Sequence, residues 1–266
     1  MEQEIRAALS PDYPWANRFH YFDTIDSTNS FLKRQALLGA PHGTVAVADC
    51  QTGGKGRLGR SFQSPGGVGI YLSMLLRPEC PQEQLMHLTC AVGTAMCDAV
   101  EASAGFRPGI KWTNDLVFQG RKLAGILTEL SLVPGSDQVD FAVIGIGVNC
   151  CQQPEDFSPE IRDIAGSLAM AAGHSIDRPA VAAAMLRALY RMDGELQSRK
   201  PELMARYRRD CVTIGQRISL VRGGETRHGQ ALDVDDDGAL VVAFDSGGVE
   251  TVASGEVSIR GMYGYL

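Results

Sequence analysis

Between Gln51 and Arg60 the chain holds four glycines and three cations in ten residues, Gln51-Thr52-Gly53-Gly54-Lys55-Gly56-Arg57-Leu58-Gly59-Arg60, a composition that no regular element accommodates. Thr44 to Asp49 before it alternates as a strand, and Gly69 to Leu76 after it reads as a second strand. The segment is therefore a long loop joining two strands. Glycines lack a Cβ, so backbone N–H groups can turn together toward one anion, and the cations add charge complementarity. Phosphate suits such a loop; on these residues alone a solvated basic loop is an equal alternative. Gly54, Gly56 and Gly59 satisfy G-x-G-x-x-G, but Ser64-Pro65-Gly66-Gly67 and a strand follow where a dinucleotide site needs a helix. A Walker loop is excluded because Gly56 follows Lys55, and a kinase loop because no H-R-D or D-F-G lies downstream.

Around this loop the pattern predicts a mixed fold. Phe19 to Phe22 reads as a strand, and Asp26-Ser27-Thr28-Asn29 caps a helix whose Phe31, Leu32, Ala36 and Leu38 share a face before Gly39 and Pro41 stop it. Pro81 opens a helix carrying Leu85, Leu88, Val92, Ala95, Met96 and Ala99 and ending near Gly105. Four short β-type runs follow, at 110–112, 116–118, 122–130 and 141–149, with a tight turn at Gln119-Gly120-Arg121. Asp177 caps a further helix with Pro179 at its first position, and another follows Pro201. After about Cys211 the chain changes to short strands (217–221, 229–234, 239–244, 249–253) separated by glycine-rich turns. Helices and strands do not alternate strictly, so the expectation is an α+β fold, not a doubly wound one. It has a mixed central sheet backed by helices in residues 1–211 and a small β-barrel in 212–266.

Composition narrows the class. A net charge of −6 with scattered Lys and Arg gives no broad footprint for DNA or an anionic membrane. No window approaches the roughly 20 uninterrupted apolar residues of a membrane span, and the acidic, proline-containing start is unlike a secretory signal. Seven cysteines without a C-x-x-C read as reduced thiols, so the expected compartment is the cytoplasm. The five histidines are dispersed and show no metal-ligand spacing.

Lys111-Trp112-Thr113-Asn114-Asp115-Leu116, Arg121-Lys122-Leu123-Ala124-Gly125-Ile126-Leu127-Thr128-Glu129 and Gly145-Ile146-Gly147-Val148-Asn149 follow Asp26-Ser27-Thr28-Asn29 and the basic glycine loop in that order. Together they resemble the biotin protein ligase family. The resemblance covers roughly residues 20 to 150, and the β-rich tail agrees with it. It implies a class II synthetase-like biotin/lipoate ligase fold with a C-terminal SH3-like domain. It also implies a two-step reaction: biotin and ATP, with Mg²⁺, form biotinyl-AMP, and the biotin then passes to a lysine of a biotin carboxyl carrier domain.

Carried over position by position, the resemblance places Ser27, Thr28, Asn29 and Gln51 at the biotin ring, with Gly54, Lys55, Gly56 and Arg57 of the loop closing over the ligand. Lys55 stands where arginine is more usual, keeping the charge but losing the planar fork. Arg57, Arg60, Phe62, Asn114 and Lys122 are expected at ATP. Lys122 is also expected at the biotin carboxylate, and Arg57, Lys122 and Asp115 at the reacting centre. Asp115 is a candidate either to bind Mg²⁺ or to orient the incoming amine. Taken singly, the residues have plainer readings: Ser27 a helix cap, Lys122 a strand-end lysine, Phe62 hydrophobic cover, Asn149 a turn residue. Met1 to Arg18 is too short for three helices of about 11 residues each, so the form without an N-terminal DNA-binding domain, and no DNA partner, is expected. Family members often pair through the central sheet, which makes a homodimer an expectation. Two rivals are a lipoate or octanoate ligase of the same fold and a non-catalytic biotin sensor. The ten-residue basic loop argues against the first, and the presence together of Lys122, Arg57 and Asp115 against the second.

Overall fold

In a computed structural model, residues 1–9, 12–222, 225–253 and 256–258 are described. The N-terminal part contains helix α1 (Glu2–Ala8), strand β1 (Phe19–Ile25), α2 (Thr28–Leu37), β2 (Thr44–Gln51), β3 (Gly69–Leu76), α3 (Leu88–Ala104), β4 (Gly109–Lys111), β5 (Asp115–Phe118), β6 (Arg121–Leu132) and β7 (Val139–Asn149). Helices α4 (Leu168–Ala172), α5 (Arg178–Glu195) and α6 (Lys200–Asp210) follow. Strands β8 (Arg217–Arg222), β9 (Glu225–Val234), β10 (Leu240–Phe244), β11 (Val249–Val252) and β12 (Glu256–Ser258) complete the described chain. The first seven strands form one sheet in the order β1-β2-β3-β7-β6-β5-β4. Only β1 and β2, joined across α2, run parallel; every other pair is antiparallel.

Alternation along the strands decides which face meets which helices. Ile70, Leu72 and Met74 of β3, Ala124 and Ile126 of β6 and Ile144, Ile146 and Val148 of β7 enter the core with α1, α3, α5 and α6. On the other face, Ala46, Leu75, Phe141 and Val143 bury Leu32 and Ala36 of α2. Helix α2 is ten residues long and covers only one end of that face. The remainder, over β6 and β7, stays open for a ligand.

Local signals explain the boundaries. Ser27 caps α2 by accepting from Ser30 N, and Asp177 caps α5 by accepting from Ala180 N. Pro179 is the second residue of α5, not the first. After Pro81 the chain makes a 3-10 turn, Gln82–Leu85, before α3 begins at Leu88; Gly105 then ends α3 in the left-handed conformation. Gln119 and Gly120 both adopt positive φ, 48° and 76°, as a two-residue hairpin turn requires.

The C-terminal strands form an antiparallel sheet in the order β11-β10-β9-β8-β12, an open order among the described residues. The Gly223-Gly224 turn and residues 259–266 lie outside them. This sheet is anchored on the first: Trp112 Nε1 donates to Gly238 O at 2.8 Å, Trp112 N to Thr213 Oγ1 and Val212 N to Ile110 O. All seven cysteines are free. Among the described residues no helix is long and apolar enough to cross a membrane.

Candidate functional site

The N-terminus of α2 points over the open face, and three side chains there are buried although polar: Ser27, Thr28 and Asn29, each 3–4% exposed. Such groups need partners, and they find them in each other and in the sheet. Thr28 N donates to Gln51 Oε1 at 2.8 Å, and Thr28 Oγ1 lies 3.0 Å from the same oxygen. Ser73 Oγ, on β3, is 2.7 Å from Thr28 Oγ1 and 2.5 Å from Asn29 Oδ1. Asn29 Nδ2 donates to Glu129 Oε2 on β6, and Lys33 pairs with the other oxygen at 2.8 Å. Burial works to raise the Glu129 carboxyl, but hydrogen bonds from Lys33 and Asn29 outweigh it and hold the group below the usual carboxylate range.

The sheet beneath is stripped of side chains where these groups sit. A Cβ on Gly145 would lie 2.1 Å from Asn29 Oδ1, and one on Gly147 would lie 2.5 Å from the Phe62 ring. The result is a recess of about 490 Å³, the solvent at its open mouth included, floored by β6 and β7 and lined along its edge by Ser27, Thr28 and Gln51. Small concave sites with a few convergent polar groups are the usual form of a ligand site.

At the other end of the recess stand the cations. Lys122 Nζ pairs with Asp115 Oδ1 at 2.7 Å, and Arg57 Nη1 donates to Asn114 Oδ1 at 2.7 Å, tying the glycine loop to the β4–β5 turn. The loop itself closes as a small hairpin, with Phe62 N donating to Gly54 O and Gly56 N to Arg60 O. Lys111, opposite Asp115 in the β4–β5 register, is only 8% exposed. Burial pulls its ammonium down to about 8, against the attraction of Asp115 and with the repulsion of Lys122 and Arg60.

A second, larger recess, about 1080 Å³ with the solvent at its open mouth included, adjoins the first, with Asn149, Phe157 and Ala165 in its wall. Phe62 and Lys122 line both recesses. The far wall is strapped to β6 by Lys122 N donating to Ile164 O and by Gly166 N donating to Lys122 O, and to β7 by Asn149 Nδ2 donating to Gly166 O.

Of the residues singled out from the sequence, Ser27, Thr28, Asn29, Gln51, Lys55, Gly56, Arg57, Phe62, Asn114 and Lys122 line the first recess. Asp115 is bound to Lys122 at its rim. Gly54 lies behind the lining, where a Cβ would strike Phe62 O at 2.4 Å. Arg60 is exposed on the loop and contributes charge toward Lys111. Asn29, although part of the lining, has both amide ends engaged by protein, so it braces its neighbours. Sequence reasoning passed over Ser73, Glu129, Lys111 and the 157–165 wall. The alternation of β3 and β6 places Ser73 and Glu129 on the open face, and that signal could have found them.

Comparison with known proteins bears on the chain as a whole. The Biotin/lipoate A/B protein ligase family matches residues 21–149, and the biotin protein ligase C-terminal domain matches 213–260. The bifunctional ligase/repressor BirA of Bacillus subtilis is 34% identical over 97% of this chain and 78% of its own length. The biotin–[acetyl-CoA-carboxylase] ligase of Mycobacterium tuberculosis is 36% identical over 86% of this chain and 83% of its own. Among solved structures, the Aquifex aeolicus biotin protein ligase in complex with biotin and ATP superposes with a TM-score of 0.76 at 29% identity, covering 91% of this chain and 98% of that one.

Proposed function

This chain belongs to the biotin protein ligase family, and from that premise we propose how its residues divide the work. The enzyme is an ATP-dependent biotin protein ligase: it joins biotin to AMP with release of pyrophosphate, then passes the biotin to a protein lysine. The observation that carries our assignment of the site is that two recesses share Lys122 and Phe62. The first, with its polar edge at Ser27, Thr28 and Gln51, takes the biotin ring and aims the carboxylate toward Lys122. The second takes the nucleoside, with Phe62 as an aromatic wall and the α-phosphate directed to the same lysine. Held there, the carboxylate oxygen attacks phosphorus in line, and Lys122 and Arg57 offset charge on the phosphoryl oxygens.

Magnesium enters as part of MgATP. Among the described residues no group of three His, Cys, Asp or Glu is placed to hold an ion, and the Asp115 carboxylate is bound to Lys122. The donor set fits a metal whose ligands come mainly from phosphate and water. We assign Asp115 to holding Lys122 in the first step and to receiving the acceptor amine in the second, once the nucleotide has drawn Lys122 away. The acceptor is a carrier domain of a biotin-dependent carboxylase, in keeping with the name of the mycobacterial relative. We also read the chain as a catalytic unit, 1–211, and a smaller C-terminal unit, 212–266. The start of the second sheet at Arg217 and the separate family match at 213–260 support that division.

The test is intact-mass detection of a bound acyl-adenylate after incubation with MgATP and biotin, lipoate or octanoate in parallel. Biotinyl-AMP with biotin alone is expected. An adenylate from lipoate in place of biotin would move the substrate assignment, and tight biotin binding without adenylate would identify a sensor.

A further inference from the structure

Hydroxyl groups are ambiguous hydrogen-bonding partners, because each has one proton and two lone pairs and can rotate to suit. Around the polar edge of the first recess that ambiguity is removed step by step. Lys33 and burial-resistant ionisation make Glu129 an acceptor only. The Asn29 amide must then turn its NH₂ to Glu129, which leaves its oxygen facing Ser73. Ser73 is fully buried, and its single proton is committed to Asn29 Oδ1 at 2.5 Å. Three contacts then compete for two hydroxyl protons, and the 2.7 Å contact between Ser73 and Thr28 takes the Thr28 proton ahead of the longer, 3.0 Å contact with Gln51 Oε1. Thr28 Oγ1 turns its lone pairs to the recess, 3.0 Å from Gln51 Oε1, an oxygen whose amide orientation is fixed by Thr28 N–H. Ser27 Oγ accepts from Ser30 N and keeps its own proton to donate.

We propose that Ser73, backed by Asn29, Glu129 and Lys33, is a positioning residue that sets Thr28 as an acceptor beside the donor Ser27, so that the site reads a ring N–H next to a carbonyl. The inference rests on the biotin site assigned above and deepens it. None of the four relay side chains needs to touch the reacting atoms. They act by fixing which way one proton points, and the specificity follows because an unmatched acceptor pair covered by a bound ligand is costly to form. A ligand with a ring oxygen at that position meets two acceptors with no proton between them. A ligand with N–H supplies the missing proton to Thr28 Oγ1 and Gln51 Oε1 together.

The test compares binding of biotin with binding of its two carbamate analogues, in each of which one ring N–H is replaced by oxygen. Titration calorimetry is run on the wild type and on Ser73→Ala, Glu129→Gln and Thr28→Val. Without Ser73 the Thr28 hydroxyl is free to rotate and donate. The expected result for Ser73→Ala is about tenfold weaker biotin binding, the scale of one net hydrogen bond. One of the two carbamates binds more tightly than it does to the wild type. Glu129→Gln, which lets the Asn29 amide turn over, shifts the ratio in the same direction and reports on the relay if Ser73→Ala does not fold. Parallel weakening of biotin and both carbamates would assign Ser73 a packing role and overturn the proposal, as would an unchanged ratio in both variants. Unchanged biotin affinity in Thr28→Val would instead overturn the location of the biotin ring.

Discussion

Replacing Lys122 by methionine removes the cation common to both recesses while keeping much of its apolar stem. At about 4 Å and an effective dielectric near 20, a unit charge interacts with a developing phosphoryl charge by roughly 4 kcal/mol. At about 1.36 kcal/mol per decade of rate this is close to a thousandfold. Lys122 is 27% exposed, which weakens the interaction, so the expected loss in the first half-reaction lies between about a hundredfold and a thousandfold. The substitution has a second consequence. Asp115, which pairs with Lys122 at 2.7 Å, is left with less compensation beside a polyphosphate. Adding Asp115→Asn to Lys122→Met should therefore recover at least tenfold of the lost rate, although Asp115→Asn alone lowers activity. Single-turnover pyrophosphate release, measured at saturating biotin and MgATP without acceptor protein, isolates this step. A loss below tenfold in Lys122→Met, or a double variant no faster than the single one, would refute the reasoning.

Three further expectations concern other parts of the molecule. Gly145→Ala places a methyl 2.1 Å from Asn29 Oδ1, so biotin affinity should fall at least tenfold while chemical denaturation shows a cost of about 1–3 kcal/mol. Arg107 bonds Asp210 and pairs with Asp98 and Glu101. Arg107→Ala should cost about 3 kcal/mol in urea unfolding, with adenylation per folded molecule unchanged. Burial works against the Asp210 charge but hydrogen bonds from Arg107 and Arg209 lower its pKa, so the stability it contributes is present above the ordinary carboxylate range and is lost as pH falls through the native value. For Lys111 the sign reverses. With a native value of about 8 against 10.5 for an unperturbed lysine, the buried charge costs stability below pH 8 and the cost disappears as pH rises to 10.5. Lys111→Met should be the more stable protein at pH 7, with an advantage that shrinks between pH 8 and 10.5 in melts across that range.

Punctuation carried much of the fold in the sequence. Asp177, Ser27 and Gly105 each announced a helix end by chemistry that operates over three or four residues, and β3, buried at every position, announced itself as a short apolar run after a glycine-rich segment. Helix α1 was invisible for the converse reason. It is seven residues long and buries only Ile5, and Arg6 bonds to Ala16 and Phe19, so packing, more than propensity, holds it. The lining of the first recess was legible because its residues cluster in motifs. The relay behind it was not, since Ser73 meets Asn29 across 44 positions and Glu129 meets Asn29 across 100. Nor does sequence reveal that Lys111 is buried among charges, because only the β4–β5 register brings Asp115 opposite it.

With biotin and nucleotide placed as proposed above, the shared wall between the two recesses makes the intermediate a bivalent ligand. Biotin alone or nucleotide alone leaves as soon as its own chamber loosens. Their covalent product has an anchor in each, and an end that comes free stays tethered near its chamber at a high effective concentration, so rebinding outpaces escape. Retention thus multiplies where the separate affinities need only be moderate, and the reactive anhydride waits for its lysine without either half being bound tightly.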